Sequence, residues 1–256
     1  MKLLLSSIAI FAIIYLLAMS LLYAFQRTLL FPDVDDVIGV NREIIVFTNN
    51  EVELHGWVLN QGKQQAIVYF GGNAEKISHN IDLFETGLSE YSIYLVDYRG
   101  YGKSESKPTE AGLFSDALFI YDQIKPKHTS ISVIGRSLGS GVAVYLAAKR
   151  RIKKLVLLTP YDSIAEVAQS HYPFFPTRYL VRDKFESINY AQAINSPTLV
   201  IAAEFDSVVP NRHTEKLLTE LANSDVVFQM VSNVTHGNID ESKEYRTALI
   251  DFFHTH

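Results

Sequence analysis

Ser137 is the residue whose surroundings most clearly predict chemistry. It lies in Gly135-Arg136-Ser137-Leu138-Gly139, after an apolar strand-like run at Ser130–Ile134 and before a helical segment at Leu138–Arg150. A serine on a sharp strand-to-helix turn exposes its hydroxyl, and the tight turn requires glycine two residues away on either side. The same letters also fit a glycine-flanked turn whose serine caps a helix. The predicted strand and helix around the motif favour a nucleophile.

A nucleophilic serine needs a base, and the base needs an acid that orients it. With this strand-to-helix turn the expected chain order is serine, acid, histidine. Glu204 and Asp206 both follow a predicted strand; Asp206 is preferred because its turn leads into the next helix, which leaves Glu204 as an edge carboxylate or a neighbour of the acid. His236 follows the last predicted strand, and Gly237 beside it lets the backbone turn the ring back toward Ser137.

Two backbone N–H groups are predicted to bind the oxyanion that forms when a serine attacks a carbonyl. One belongs to Leu138, the residue after the nucleophile. The other belongs to Asn73, in the loop Gly71-Gly72-Asn73-Ala74 that follows a predicted strand. The two glycines allow close approach of the backbone. Asn73 could equally serve as the N-cap of the next helix, and the two roles are compatible.

The segments that must position these residues alternate between strands and helices. Asn49-Asn50 separates two strand-like segments, which predicts an antiparallel hairpin at the sheet edge. Later strands are nearly continuous apolar runs, as expected where both faces are buried in a parallel sheet. We therefore predict an α/β fold with a mostly parallel sheet and helices on both faces. The predicted strands are 43–48, 51–59, 66–70, 93–96, 131–134, 155–158, 198–202 and 226–231, and the predicted helices are 74–88, 109–124, 138–150, 212–222 and 241–253.

One connection between predicted strands, about residues 161–190, is longer than a plain crossover needs and is rich in aromatic residues. Long connections in compact domains are usually functional, and ligands of open α/β sheets bind at the carboxyl ends of the strands. We predict a short lid over that edge. Its candidate substrate contacts are His171, Tyr172, Phe174 and Phe175.

The N-terminus predicts a membrane segment. Residues Leu3 to Phe25 carry no charge, and at about 1.5 Å per residue they extend roughly 34 Å, enough for the hydrocarbon core. A cleaved signal peptide and a buried core helix are the alternatives, but the run is long, lacks a polar face and ends in a poor cleavage context. We predict an uncleaved transmembrane signal anchor over 1–27, a linker over 28–40 and one domain over 41–256. Lys2 before the span and Arg27 after it give a weak orientation signal, and we predict an extracytoplasmic domain.

The net charge and the absence of cysteine exclude several kinds of binding and catalytic site. The net charge of −5 argues against a broad nucleic-acid surface, which would be basic. The chain has no cysteine, which excludes disulfides, thiolate metal sites, a cysteine nucleophile and a thiol-linked lipid anchor. We predict neither a metal nor a cofactor, and the partners expected are a small-molecule or lipid ester and the membrane.

Taken together, the motifs resemble the bud-emergence-suppressor (Bem-like) group of α/β hydrolases, which lies near the serine aminopeptidases. The resemblance implies the α/β-hydrolase fold, a triad of Ser137, Asp206 and His236, and oxyanion donors at Asn73 and Leu138. The family's oxyanion loop usually has histidine where this chain has Gly71. The stretches that carry the resemblance are 26–32, 97–104, 107–110, 135–141, 171–176, 206–210 and 236–237.

These features predict hydrolysis of an ester or thioester through an acyl-enzyme, with an apolar acyl or lipid substrate suggested by the aromatic lid and the membrane segment. A serine peptidase of the same fold stays open; it would need a carboxylate in the lid for a free amine, and Glu166, Asp162 or Asp183 could serve. A non-catalytic membrane scaffold that keeps the turn only for folding is the third hypothesis, and the complete triad argues against it.

Overall fold

A computed structural model describes residues 2–36 and 43–254. Within these residues, eight strands form one sheet in the order β1-β2-β4-β3-β5-β6-β7-β8. The strands are β1 (Ile44–Asn49), β2 (Val52–Leu59), β3 (Gln65–Phe70), β4 (Tyr91–Val96), β5 (Ser130–Arg136), β6 (Leu155–Leu158), β7 (Thr198–Ala203) and β8 (Val226–Val231). The helices are α1 (Lys2–Leu30), α2 (Ile81–Gly87), α3 (Glu110–Ile124), α4 (Leu138–Lys149), α5 (Ile164–His171), α6 (Thr177–Leu180), α7 (Ile188–Ala191), α8 (Asn211–Glu220) and α9 (Lys243–His254).

The sheet is antiparallel at its N-terminal edge and parallel elsewhere, as predicted. β1 pairs antiparallel with β2, and β2 pairs antiparallel with β4. The turn between β1 and β2 consists of Asn50 and Glu51, one residue later than predicted. Both have positive φ, 49° and 65°, which matches the twist that a two-residue hairpin needs.

Alternation along β3 shows why helices cover both faces of the sheet. Ala66, Val68 and Phe70 belong to the core cluster beneath α3 and α4. Ile67 and Tyr69 belong to the cluster beneath α2 and α9. Because successive side chains of a strand point to opposite faces, a continuous apolar strand requires a helical layer on each side. The structure confirms the predicted arrangement of helices.

The predicted lid is the connection between β6 and β7, and it contains the short helices α5, α6 and α7. Its base is anchored in the core by Phe185, which is fully buried and meets the ring of Phe114 edge to face at 5.4 Å. Its outer part is exposed at Phe174 and Tyr179, which are 84% and 80% accessible.

The N-terminal helix α1 lies against the lid along one face. Its partly buried residues recur at helical spacing, at positions 15, 18, 19, 22, 26 and 30, whereas residues 2–14 are exposed. Among the described residues, α1 is the one helix long and apolar enough to cross a membrane. Its length and apolar character make it a candidate membrane anchor.

The boundary predicted after residue 27 differs from the structure. The helix continues to Leu30, and Phe31 and Val34 are buried in the domain core. The first part of the predicted linker is therefore packed, because its apolar side chains belong to the core beneath α3 and α4. The rest of the linker, 37–40, and the predicted domain start at residue 41 lie outside the described residues.

The helix predicted over 74–88 is also shorter than expected. A 3-10 turn occupies Ile77–Asn80, and α2 begins only at Ile81. The Glu75 side chain accepts a hydrogen bond from the Gly72 N–H, which holds residues before the turn in a loop. This loop ends beside Ser137, so the interruption matters for the site.

Candidate active site

Ser137 lies on a strained turn between β5 and α4. Its φ of 49° and ψ of −116° are unfavourable for a residue with a side chain, as expected at a nucleophile elbow. A Cβ on Gly135 would approach the Gly139 carbonyl oxygen to 2.4 Å, and one on Gly139 would approach the Phe70 oxygen to 2.1 Å. Both positions therefore require glycine, because any side chain would clash with the backbone. The Ser137 N–H donates a 2.8 Å hydrogen bond to the Leu158 oxygen, which fixes the turn.

The structure brings Ser137, His236 and Asp206 together. His236 Nε2 lies 2.8 Å from the Ser137 hydroxyl oxygen, and His236 Nδ1 lies 2.8 Å from Asp206 Oδ2. The other Asp206 oxygen accepts the N–H groups of Val208 and Val209 at 3.0 and 2.7 Å. These bonds orient the carboxylate, whose side chain is only 2% exposed. The arrangement can move a proton from the serine to the imidazole while the carboxylate holds the ring.

Glu204, the other acidic candidate, has a different position. Its carboxylate accepts the Asn233 N–H at 2.8 Å, at the start of the loop that carries His236. Asn233 has a φ of 59°, so the loop turns sharply there. Glu204 thus stabilises the loop, while Asp206 contacts the histidine. The sequence preference for Asp206 over Glu204 agrees with these two positions.

Asn73 and Leu138 border the cavity beside Ser137. Leu138 is the first residue of α4, so its N–H has no carbonyl one turn earlier in the helix to bond. The hydroxyl of Tyr101 donates to the carbonyl of Asn73, and that of Tyr98 donates to the Gly71 oxygen at 2.8 Å. Burial raises the pKa of Tyr98, which keeps this donor protonated. Two tyrosines therefore hold the loop in which Gly71 replaces the family's histidine.

Glu75 is a further anchor of this loop, and sequence reasoning missed it. Its carboxylate accepts the Gly72 N–H at 2.6 Å, the Tyr69 hydroxyl at 2.7 Å and the Asn80 amide at 2.7 Å. It also pairs with Arg136, the residue before the nucleophile, at 3.2 Å. Arg136, the charged residue inside the motif at 135–139, was the sequence signal for such a partner, because a buried arginine requires a carboxylate beside it.

Arg136 connects the elbow to two acidic residues. It lies 3.2 Å from both Glu75 and Asp240, and its side chain is 11% exposed. Burial by itself would lower the pKa of Arg136, but the nearby charges, that of Glu75 first, raise the pKa above its usual value. The guanidinium therefore stays charged and holds the loop at 71–74, the turn at Ser137 and the segment after His236 in one network.

A cavity of about 280 Å³ reaches Ser137 and has mainly apolar walls. Of the predicted substrate contacts, His171, Tyr172 and Phe175 line it. Phe174 lies outside it, with its side chain 84% exposed, whereas the ring of the neighbouring Phe175 stacks on Tyr15 of α1. His171 Nε2 also lies 2.8 Å from the Val208 oxygen, and this contact joins the lid to the loop that carries Asp206.

The carboxylates considered for binding an amine all have partners. Asp162 lies 2.8 Å from His213 Nδ1 and 2.7 Å from the Lys216 ammonium. Glu166 pairs with an arginine within the lid. Asp183 is the one of the three that lines the cavity; it bonds Arg27 at 2.7 Å and accepts the Glu110 N–H at 3.0 Å. In the described ranges, no cluster of three histidine or acidic side chains is arranged to hold a metal ion.

The chain matches one family model and several known proteins in sequence. A family model described as the alpha/beta hydrolase fold matches residues 65–185. An uncharacterized protein of Mycobacterium tuberculosis is 33% identical, over 84% of this chain and 82% of that protein. Protein bem46 of Schizosaccharomyces pombe is 26% identical, over 93% of this chain and 88% of that protein.

Two further matches are named as a lipase and an esterase. The lysophosphatidylserine lipase ABHD12 of Danio rerio is 34% identical over 75% of this chain, which spans 59% of that protein's length. A solved esterase of Pyrococcus furiosus matches with a TM-score of 0.67 at 16% identity, over 88% of this chain and 97% of that structure. At that identity the structural match shows the fold.

Proposed function

Because this chain is a hydrolase of the α/β-hydrolase family and belongs to its Bem46-like group, we propose that it cleaves an ester or thioester with Ser137 as nucleophile. The observation that carries the proposal is the hydrogen-bonded chain from Ser137 through His236 to Asp206, at the end of an apolar cavity. A turn kept only for folding would not need a histidine and a carboxylate at 2.8 Å spacing.

In the proposed mechanism, the Ser137 oxygen attacks the substrate carbonyl while His236 Nε2 accepts the hydroxyl proton. Asp206 orients the ring and stabilises the imidazolium. The N–H groups of Asn73 and Leu138 bind the oxyanion. Collapse of the intermediate breaks the bond to the leaving alcohol or thiol, and His236 returns the proton to it. Water then attacks the acyl carbonyl while His236 accepts its proton. Breakage of the bond between the acyl carbon and the Ser137 oxygen releases the acid, and His236 returns the proton to Ser137.

The cavity supports an apolar acyl group as the substrate class. Its walls consist mainly of aliphatic and aromatic side chains, which favour a hydrocarbon chain over a polar group. The Danio rerio relative carries the name lysophosphatidylserine lipase, which suggests an ester with a single acyl chain. We propose a lipid with one acyl chain in ester or thioester linkage.

The peptidase hypothesis has less support from the site. A free substrate amine would need an unpaired carboxylate at the cavity wall, and Asp183 is already held by Arg27 and the Glu110 N–H. Breaking that ion pair would leave the arginine without its partner. No specific observation favours this reaction, so the esterase hypothesis is retained.

Labelling with a short fluorophosphonate tests the proposal directly. The wild type should be labelled and should hydrolyse p-nitrophenyl esters, and Ser137→Ala should lose both properties. Ser140→Ala, another buried serine in the same turn of chain, is the matched control and should keep both. Absence of wild-type labelling, or equal labelling of Ser137→Ala, would overturn the proposal. A panel of acyl esters, acyl thioesters and aminoacyl amides then separates the substrate classes.

We also propose that α1 is an uncleaved single-pass anchor and that the domain lies outside the cytoplasm. The helix is long and apolar, and its last turns are packed against the lid, so cleavage would remove part of the folded structure. Since the chain has no cysteine, a single one can report its location. Thr247→Cys, on the exposed face of α9, should react with a membrane-impermeant maleimide in intact cells; reaction only after lysis would place the domain inside.

A further inference from the structure

The wall of the cavity includes side chains of the N-terminal helix. The lid lies on one side of the cavity and α1 on another. This contribution is separate from any role in membrane attachment, because the same helix has a second face that is exposed. The residues of α1 that line the cavity are Met19, Leu22, Tyr23, Gln26, Leu29 and Leu30.

The position of α1 against the lid is set by specific contacts at both ends of the packed segment. The Tyr15 ring stacks on Phe175, with centroids 5.2 Å apart and planes 7° from parallel. The Tyr15 hydroxyl donates to the Phe174 oxygen at 2.8 Å. About three turns later, Gln26 accepts the Arg182 N–H at 2.7 Å. Hydrogen bonds of this kind select one rotation of the helix, and that rotation directs Met19 and Leu22 to the cavity.

Charge fixes the same end of the helix. Arg27 pairs with Asp183 at 2.7 Å, and the aspartate side chain is 6% exposed. The Arg182 guanidinium also lies over the Tyr23 ring, 4.3 Å from its centroid. A helix that served only as a tether would need none of these contacts. The contacts hold α1 as a wall of the substrate site.

We propose that Met19 and Leu22 of α1 determine the length of acyl chain that the site accepts. The inference rests on the proposed hydrolysis of acyl esters and extends it to specificity. Both side chains are apolar and line the cavity, so their contribution to a hydrocarbon chain is space and contact area. A larger side chain at either position removes room for methylenes, and a smaller one adds room.

The experiment measures kcat/KM for p-nitrophenyl esters of increasing chain length, using the full chain in detergent micelles. Met19→Trp and Leu22→Trp should shift the preferred chain length downward. Each methylene that no longer fits should lower kcat/KM by about fourfold, so three should lower it by roughly 60-fold. Met19→Ala and Leu22→Ala should shift the preference upward, which tests the idea even if a tryptophan variant fails to fold.

Leu17→Trp is the matched control. It adds the same bulk to the same helix, but Leu17 is 58% exposed and lies outside the cavity. Its chain-length profile should superimpose on that of the wild type. Profiles for the Met19 and Leu22 variants that parallel the wild type, or a Leu17→Trp shift as large as theirs, would overturn the inference.

Fluorophosphonate labelling keeps this result distinct from the proposed function. If wild-type Ser137 is labelled and the chain-length profiles do not move, the inference fails and the proposed hydrolase stands. If wild-type Ser137 is not labelled, the proposed function fails first. A downward shift with tryptophan and an upward shift with alanine support both.

Discussion

Replacing Glu75 with glutamine tests whether the loop at 71–74, which we propose supplies an oxyanion donor, is held by a residue outside the proposed triad. The hydrogen bonds of the Glu75 carboxylate go to residues other than Ser137, Asp206 and His236, and the carboxylate binds the Gly72 N–H and Arg136 at the same time. Glutamine has nearly the same shape. It can still accept the Gly72 N–H, but its amide group then faces the donors of Arg136 and Asn80. The change removes a charge and creates a donor–donor conflict in a side chain that is 10% exposed.

The expected loss follows from the number of oxyanion donors. Complete removal of one such donor costs about 100- to 1000-fold in kcat. In Glu75→Gln, Tyr98 and Tyr101 still bind the carbonyls of the loop, so Asn73 is displaced but present. We therefore expect kcat to fall by about 10- to 100-fold. KM should change by less than about twofold, because uniform binding of the acyl chain is untouched.

Stability should fall as well. A buried donor left unsatisfied costs about 1–3 kcal/mol, which corresponds to roughly 2–12 °C in Tm for a domain of this size. Asp240→Asn is the control, since Asp240 contacts the same arginine at 3.2 Å but does not contact the loop. It should lower Tm with little change in kcat. A Glu75→Gln enzyme with wild-type kcat, or an equal loss of kcat in Asp240→Asn, would refute the reasoning.

Three further predictions concern stability of the full chain in detergent. Phe185→Ala should destabilise the protein by about 3–5 kcal/mol, measured by thermal unfolding, because Phe185 at the base of the lid is fully buried in the core. A loss below about 1 kcal/mol would show that this side chain does not hold the lid on the core. Burial, with the charge of Asp36, raises the pKa of Asp97 to about 8. Because the folded state then retains a proton that the unfolded state releases, the free energy of unfolding should fall from pH 5 to pH 8. Asp97→Asn should flatten that fall, and an unchanged fall would show that the carboxyl is ionised in the folded state. Burial would raise the pKa of Asp162, but hydrogen bonds from His213 and Lys216 lower that pKa overall, so the ionised carboxylate should stabilise the fold above about pH 4 and lose this effect below it. Asp162→Asn should destabilise the protein by about 2–3 kcal/mol at pH 7, and this difference should shrink on acidification. A difference that does not change with pH would contradict the pairing.

The elbow and the sheet could be predicted because they depend on local pattern. Ser137 is recognised from five residues between a strand and a helix, and the parallel strands from short continuous apolar runs. The alignment of Asp206 and His236 with that serine follows from the order of strands, since parallel strands end at one edge. These features require no knowledge of which distant side chains meet.

Other features depend on long-range contacts that periodicity does not encode. Glu75 reads as an ordinary residue at a helix start, and its role appears only when β3 and β5 bring Arg136 beside it. Phe174 and Phe175 are equivalent in sequence, and only Phe175 lines the cavity, where its ring stacks on the distant Tyr15. The sequence of α1 is apolar on all faces of the helix, as in a membrane span, so the face that packs on the lid could not be distinguished from the others.

The docking of α1 also limits how far the domain can stand from a bilayer. Of the uncharged apolar run, residues 3–14 extend beyond the packed segment, and twelve residues of helix measure roughly 18 Å. A hydrocarbon core is about 30 Å thick. If α1 crosses it, about 12 Å of the segment packed on the lid must lie within the hydrocarbon. The tip of the lid, with the exposed ring of Phe174, then enters the bilayer together with it.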